Sequence, residues 1–342
     1  MEFKEQRYIK AVNILFLALL ILILFFYGTY LYPYFEFYTN SVPKFQIVSP
    51  ISELVPQGLE YIEEDDCFVV SGYLYPKGYS RLVVIDSNNR KYTKSIVNSK
   101  GKEFKWHSGG IACHGDYVYV TGGNSKCYVL SKDELLDKDK EKVQIIGTIT
   151  TDSNSSFCFV YGNCLYIGEY QYMSKFVTPK DHHLNSPHGN LNTAMVFAYP
   201  FRDDEKFGVS STAIMALSIG SSIQGMCMDQ SGKMYLSGSS SKFDQSILYV
   251  YDFRKVVQTV DHSYNYHGKT IPVFVFEDVA LVKRMRVPPN CEGITSVDNY
   301  VYMLFESAST RFKYGWLFGT QYVYQIDTEK IFESSVIPKK KT

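Results

Sequence analysis

Short apolar and aromatic runs alternate with polar positions through most of the chain and break at Gly, Asn or Asp, as β-strands joined by tight turns do. One segment recurs in five divergent copies, each followed by a turn and a second strand: LVPQGLEY (54–61), KWHSGGIA (105–112), NSSFCFVY (154–161), SIQGMCMD (222–229) and NCEGITSV (290–297). The copies are about 50 residues apart, stretched by insertions, which is the period of a propeller or a similar array. The pattern therefore predicts an all-β body built from one repeated unit.

Each unit continues with a third strand and a more polar fourth strand. The third strands read RLVVID, KCYVLS, AMVFAYP, ILYVYD and YVYQID, and the fourth read KYTKSIV, KVQIIGTI, TAIMALSI and LVKRMRV. The fifth unit lacks a fourth strand, but KFQIVSPI (44–51) leads into the first copy as KVQIIGTI leads into the third. We therefore expect a five-bladed β-propeller closed by an N-terminal outer strand, which removes open sheet edges. A six-bladed ring is the alternative, with a degenerate blade hidden in the insert at 173–192 or at 254–280.

The first residues follow a different pattern, that of a membrane-spanning helix. No charge occurs from Ala11 through Phe35, and about 20 apolar residues suffice to cross a bilayer. Lys4, Arg7 and Lys10 precede this run, which favours an N-terminus on the inside; an aromatic belt without an A-x-A cleavage site follows it. The predicted organisation is a cytoplasmic segment (1–10), a transmembrane signal anchor (11–32), a short stalk (33–43), an extracytoplasmic propeller (44–328) and a basic tail (329–342).

Charge and cysteine usage exclude several classes of protein. The chain has 35 basic and 35 acidic residues, so no strong field for nucleic acid is expected. Its seven cysteines are odd in number and lack Cys-x-x-Cys spacing, which supports neither a disulfide framework nor a zinc site. Cys158 and Cys164 flank a Gly-Asn turn, and a two-residue hairpin would set them opposite Ile167 and Tyr161 rather than each other. Most cysteines are therefore interpreted as small buried hydrophobic residues.

The polar residues of the repeat point to a site on one face of the propeller. The first strands of the blades begin around the central channel, and the loops after the second strands open on the same face. A mixture of carboxylates, amides, cations and aromatic residues gathered there is the make-up of a small-molecule pocket. The predicted ligand-binding residues are Gln57, His107, Ser108, Glu169, Gln224, Glu292, Glu306, Ser307, Arg311 and Lys313.

Each of these residues also has a plainer interpretation. Gln and Glu at a channel mouth can do no more than hydrate the channel, and His107 can be a hydrogen-bonded structural residue. His182 and His183 are expected at the solvated surface, because adjacent residues on a polar loop have no fixed ligand geometry.

The common catalytic motifs are absent: there is no G-x-S-x-G elbow, no P-loop and no H-E-x-x-H. Glu292 and Glu306 belong to one unit and are catalytic candidates together with His107, because paired acids cleave glycosides. If the two carboxyls lie together in a low-dielectric mouth, at least one should titrate abnormally. With Glu169 they could also hold Ca²⁺, although no Asp-rich loop supports this and no metal site is predicted.

Several of these segments resemble a family of uncharacterised secreted or membrane-anchored bacterial β-propeller proteins. The resemblance covers residues 45–327 and rests on PQGLEY, HSGGIA followed by GDYVYV, IQGM, CEGI and YVYMLFESASTRFKY. It implies the propeller fold and places six residues at family motif positions: Gln57, His107, Gln224, Glu292, Glu306 and Ser307. The third copy, NSSF, lacks the glycine, and the membrane span stands where the secreted forms have an export signal. The resemblance implies no reaction.

The sequence thus predicts a single-pass membrane protein whose extracytoplasmic propeller binds a small polar ligand or a glycan at the channel mouth. A hydrolase or lyase that uses Glu292 or Glu306 with His107 is one alternative. The other is a cell-surface interaction scaffold that uses the rims of the blades, with a mouth that is only hydrated.

Overall fold

The computed structural model describes residues 2–28, 32–47, 52–186, 188–240, 245–257, 262–312 and 320–333. Helix α1 (Glu2–Phe26) contains an apolar stretch, Gln6–Phe26, whose mean hydropathy is 2.8 and of which none is buried. It is long and apolar enough to cross a membrane, and a signal sequence has the same properties. Helix α2 (Phe35–Asn40) then leads into the β-body.

The regular secondary structure of the body is almost entirely β-strand. In chain order the described strands are β1 (Ser41–Gln46), β2 (Leu54–Ile62), β3 (Cys67–Leu74), β4 (Ser80–Asp86), β5 (Lys91–Val97), β6 (Ile111–His114), β7 (Tyr117–Thr121), β8 (Lys126–Ser131), β9 (Lys142–Thr150), β10 (Phe157–Tyr161), β11 (Cys164–Gly168), β12 (Leu184–Asn185), β13 (Leu191–Asn192), β14 (Ala194–Pro200), β15 (Met215–Ile219), β16 (Ile223–Met228), β17 (Lys233–Gly238), β18 (Ser246–Asp252), β19 (His262–Tyr266), β20 (Lys269–Val275), β21 (Leu281–Val287), β22 (Cys291–Val297), β23 (Tyr300–Phe305) and β24 (Tyr322–Asp327). Three short helices are inserted between or after strands: α3 (Lys132–Leu136), α4 (Phe253–Val256) and α5 (Thr328–Glu333).

The strands form units that run outward from an inner strand. The units are β2–β5, then β6–β9, then β10, β11, β14 and β15, then β16, β17, β18 and β21, and last β22, β23 and β24. The inner strands β2, β6, β10, β16 and β22 contact one another in this order, and β22 returns to β2. A ring of sheets around a central axis is the architecture of a β-propeller.

The N-terminal strand completes the last unit, as the sequence predicts. β1 pairs antiparallel with β24, with Ser41 opposite Ile326 and Phe45 opposite Val323. The strand begins three residues before the predicted segment. Its pairing covers the edge of β24 that would otherwise be open.

The insert proposed to hide a sixth blade is a hairpin on the outside of the third unit. β19 and β20 pair with each other, and β20 runs parallel to β15, with Ala216 opposite Val273. The hairpin therefore extends an existing sheet outward. The other insert forms the short hairpin β12–β13, which pairs with itself. Among the described residues, neither insert adds a strand to the inner ring.

Local sequence explains the turns between the first and second strands. Asp66, Gly115, Gly162, Gly232 and Asp298 occupy these turns with φ between 45° and 80°. Glycine adopts such angles without strain, and Asp tolerates them better than most residues. The hairpin at Gly162 also has the predicted register: Cys158 lies opposite Ile167, and Cys164 lies opposite Tyr161. All seven cysteines are free, and six of them are buried.

The segment expected to be a stalk is packed against the body. Phe37 of α2 is fully buried, with its ring 5.8 Å from that of Phe305 and 5.0 Å from that of Tyr324. Glu36 pairs with Lys283 of β21 at 2.5 Å. Residues of α2 therefore pack against the last two units.

Candidate functional site

A cavity of about 500 Å³ opens at the end of the ring where the inner strands begin. Residues from all five units line it, because the starts of the inner strands and the loops after the second strands meet there. The cavity therefore lies on the face that the sequence indicates.

Glycines let the inner strands approach backbone to backbone beside this cavity. A Cβ atom on Gly293 would lie 2.5 Å from the backbone nitrogen of Leu59, and one on Gly58 would lie 2.6 Å from the carbonyl oxygen of Gly109. Real Cβ contacts are not this short, so only glycine fits without a shift of the backbone. Similar contacts surround Gly110 and Gly225. The repeated glycine of the sequence motif thus keeps the ring narrow below the mouth.

Hydroxyl groups on the second strands join each of three units to the next one. Each donates a hydrogen bond to a backbone carbonyl at the start of the neighbouring inner strand. The bonds run from Ser71 to Gly109, from Thr121 to Ser156 at 3.1 Å and from Ser237 to Glu292 at 2.6 Å. The last of these bonds fixes the backbone of a residue whose side chain lines the cavity.

Glu292 and Glu306 lie together at the bottom of the cavity. Both are buried, at 4% and 7% exposure, and their carboxyl groups hydrogen-bond to each other. Burial and the proximity of Glu306 hold the pKa of Glu292 well above its usual range. A hydrogen bond between two carboxyls requires at least one proton. The two carboxyls therefore lie together, as the prediction of an abnormal titration assumes, and that titration stays a prediction.

Amide side chains from three units surround the pair. Gln57 Nε2 donates to Glu306 Oε2 at 2.6 Å, and Gln224 Nε2 donates to Glu292 Oε1 at 3.2 Å. Asn290 Nδ2 contacts Glu306 Oε1 at 3.4 Å, whereas Asn290 Oδ1 is buried and accepts no hydrogen bond from the described residues. The bottom of the cavity therefore has one acceptor that no described residue satisfies.

His107 lines the same cavity, and its ring lies tilted against that of Tyr73 with ring centroids 4.7 Å apart. The residue is exposed to the cavity, and desolvation by the surrounding protein lowers its pKa to about 4. The neutral imidazole is therefore favoured at pH 7.

Cations and aromatic rings stand nearer the opening. Arg311 lies over the ring of Tyr73 at 5.5 Å, and burial lowers its pKa. Lys175 is exposed and lies 5.2 Å from the ring of Phe176. Within the described ranges, neither cation forms an ion pair with a carboxylate. The cavity thus has a polarity, with acid at the bottom and base at the opening.

Three of the predicted residues are buried beside the cavity rather than in it. Glu169 is fully buried, where it accepts from Met195 N at 2.9 Å and contacts His182 Nδ1 at 2.8 Å. His182, expected at the surface, is only 2% exposed, because Glu169 gives the loop histidine a fixed partner. Ser108 is buried in a turn, and Ser307 accepts a hydrogen bond from the backbone of a neighbouring loop residue. Lys313 lies outside the described residues.

The sequence prediction missed several residues that line the cavity, among them Asn290, Trp106 and Phe176. Asn290 stands two residues before Glu292 and has φ of 60°, an angle that asparagine tolerates better than most residues. Trp106 directly precedes His107. Both lie inside the repeated segments, and that position was the signal that could have identified them.

A metal centre has little support in the side chains of this site. The described residues contain no group of three or more His, Cys, Asp or Glu side chains placed to hold a metal ion.

No protein-family model matches the chain, and no curated protein sequence is similar to it. The family resemblance therefore stays a prediction. Solved structures of similar fold include an aldose sugar dehydrogenase from Streptomyces coelicolor with bound PQQ (10% identity, TM-score 0.44, 84% of this chain and 98% of that one). A second is a glutaminyl cyclase from Myxococcus xanthus (10% identity, TM-score 0.42, 84% of this chain and 94% of that one). A third is the WD40 β-propeller domain of Doa1 (8% identity, TM-score 0.34, 78% of this chain and 70% of that one). None of these matches bears on what this chain binds.

Proposed function

We propose that this protein is a membrane-anchored, five-bladed β-propeller that binds a small polar ligand, such as a glycan or another polar metabolite, at the mouth of its central channel. The five inner strands in ring contact support five blades. The apolar helix and the basic residues before its core support a single span with the body on the extracytoplasmic side.

One observation carries the binding proposal. The cavity ends on a buried, hydrogen-bonded carboxyl pair from the fifth unit that is held by amides from the first and fourth units. Burying two carboxyls is costly, and packing alone would be served by apolar side chains. These polar side chains come from three units and meet at a concave surface. Such an arrangement of residues that packing does not require is typical of a ligand site.

The geometry weighs against glycoside hydrolysis by this pair. Retaining and inverting glycosidases separate their two carboxyls by at least about 5 Å, which leaves room for the sugar or for a water. Glu292 and Glu306 instead contact each other directly. The lowered pKa of His107 favours the neutral imidazole, which suits a proton acceptor better than a general acid.

A thermal-shift screen tests the proposal with the full chain in mild detergent. Polar metabolites, sugars and amines are tested against wild type, Glu292→Gln and the control Glu141→Gln, whose side chain is exposed and remote. Ligands of the cavity should raise the Tm of wild type and of Glu141→Gln, but raise that of Glu292→Gln much less. Ligands that stabilise all three proteins equally would contradict the proposed site. Glu292→Gln itself should fold, because glutamine matches the protonated acid in size and hydrogen bonding.

A further inference from the structure

The cavity has a chemical polarity that ordinary channel hydration does not require. Its bottom is made of buried acceptors, and its opening carries cations that have no carboxylate partner in the described part of the chain. The two ends differ in exposure: Glu292 and Glu306 are almost inaccessible, whereas Lys175 is exposed and Arg311 is half-buried. A ligand that satisfies both ends must carry donors at its inner end and an acid at its outer end.

The bottom of the cavity presents oxygen acceptors to a primary ammonium group. Asn290 Oδ1 is buried and accepts no hydrogen bond from the described residues, and it lies beside the carboxyl of Glu306, to which Asn290 Nδ2 donates. Together with Glu292 this makes three side chains that offer oxygen atoms. An ammonium has three N–H donors and no acceptor.

Charge favours the same group. The two buried carboxyls lie in contact, and an ammonium beside them would allow them to ionise, because opposite charges attract strongly in a buried place. Aromatic side chains of Tyr170 and Trp106 line the same cavity, and aromatic faces attract organic cations. Two cations at the opening would repel a second ammonium, so a polyamine fits poorly. They would bind a carboxylate or a phosphate.

We propose, resting on the ligand-binding function above, that the ligand is a small zwitterion: a primary ammonium bound by Glu292, Glu306 and Asn290 at the bottom of the cavity, with an acidic group held by Arg311 and Lys175 at its opening. The cavity of about 500 Å³ limits the ligand to the size of an amino acid, a dipeptide or an amino sugar acid.

Isothermal titration calorimetry of the full chain in mild detergent at pH 7 tests this assignment. The probes are glycine, 4-aminobutyrate and 6-aminohexanoate, which vary the distance between ammonium and acid, with acetate, butyrate and hexanoate as matched acids that lack the amine. Butylamine lacks the acid. At least one of the amino acids should bind, at least about tenfold more tightly than its matched acid, because charge-assisted hydrogen bonds are lost without the amine. It should also bind more tightly than butylamine.

Variants separate the two ends of the cavity. Glu292→Gln should weaken binding of the best amino acid at least about tenfold, because the ammonium loses a charged acceptor. Arg311→Gln should weaken binding of the best amino acid several-fold and reduce the difference between its affinity and that of butylamine. Glu141→Gln, on the far surface, should change neither value.

The assignment is overturned if a matched acid binds as tightly as its amino acid, or if none of the three amino acids binds. In either case, ligands from the thermal-shift screen that depend on Glu292 would leave the proposed function standing and show that its ligand is of another class. If the screen yields only ligands that ignore Glu292, the proposed function fails before this assignment does.

Discussion

Replacing Glu60 by Gln should stabilise the protein at neutral pH and leave its stability nearly unchanged near pH 4. Glu60 lies on the inner strand β2, two residues beyond Gly58, and the thiols of Cys113, Cys158 and Cys227 on three other inner strands lie within its electrostatic reach. Burial raises the pKa of Glu60 from its ordinary 4.5 to about 8, against a smaller opposing effect of a backbone hydrogen bond. At pH 7 the folded protein must therefore keep a proton that the unfolded chain would release.

The size of the effect follows from this shift. Between pH 4.5 and about 8 the folded state binds more protons than the unfolded state, so the free energy of unfolding falls as the pH rises. At about 1.4 kcal/mol per pH unit, keeping the proton costs about 3 kcal/mol at pH 7 and less than about 1 kcal/mol at pH 5. Glutamine has the same size and no proton to keep. About 3 kcal/mol is thus the upper limit of the gain, because the new amide donors need acceptors.

Denaturant unfolding of the full chain in mild detergent, followed by fluorescence at pH 5 and pH 7, measures the difference. We expect the free energy of unfolding of Glu60→Gln to exceed that of wild type by about 2 kcal/mol more at pH 7 than at pH 5. Glu141→Gln, a control at an exposed residue, should change the free energy of unfolding little at either pH. A gain that does not depend on pH, or a loss at pH 7, would show that Glu60 is ionised in the folded protein and refute the reasoning.

Three further predictions concern the ring, its closure and its tether. Gly293→Ala should destabilise the protein by about 1–3 kcal/mol or more, because the new Cβ meets neighbouring backbone. The control Gly220→Ala should not destabilise it, because no atom lies within 4 Å of the new Cβ. Thermal unfolding of the two variants measures the difference. Deleting residues 1–46 should cause aggregation in size-exclusion chromatography by opening the edge of β24, whereas deleting 1–31 should leave a soluble folded body. Phe37→Ala should free helix α2, since losing a buried Phe costs about 3–5 kcal/mol, and limited proteolysis should then cut faster between α1 and the body.

The sequence predicted the body well because its signals are local. Alternating strands, turn residues such as Asp66 and the glycine that recurs in four of the five repeated segments can each be recognised within a few residues of sequence. The closing strand was also predictable, because its position before the first copy repeats a pattern found elsewhere in the chain.

The details of the site were harder to predict because they depend on contacts between distant segments. Glu169 and Glu306 end equivalent strands, yet only Glu306 faces the cavity. The carboxylate of Glu169 instead contacts His182 and accepts a hydrogen bond from the backbone of the third strand of its unit. Neither partner can be identified from the spacing of the residues. The unsatisfied oxygen of Asn290 is likewise a property of the assembled ring and leaves no pattern in the sequence.

A crystal structure of the full chain at pH 7, soaked with the amino acid that binds best, tests the central claim most directly. The account predicts the ligand inside the mouth cavity, with its nitrogen within hydrogen-bond distance of Glu292, Glu306 and Asn290 Oδ1 and its acid toward Arg311. A ligand bound elsewhere on the protein, with the contact between Glu292 and Glu306 undisturbed, would contradict it.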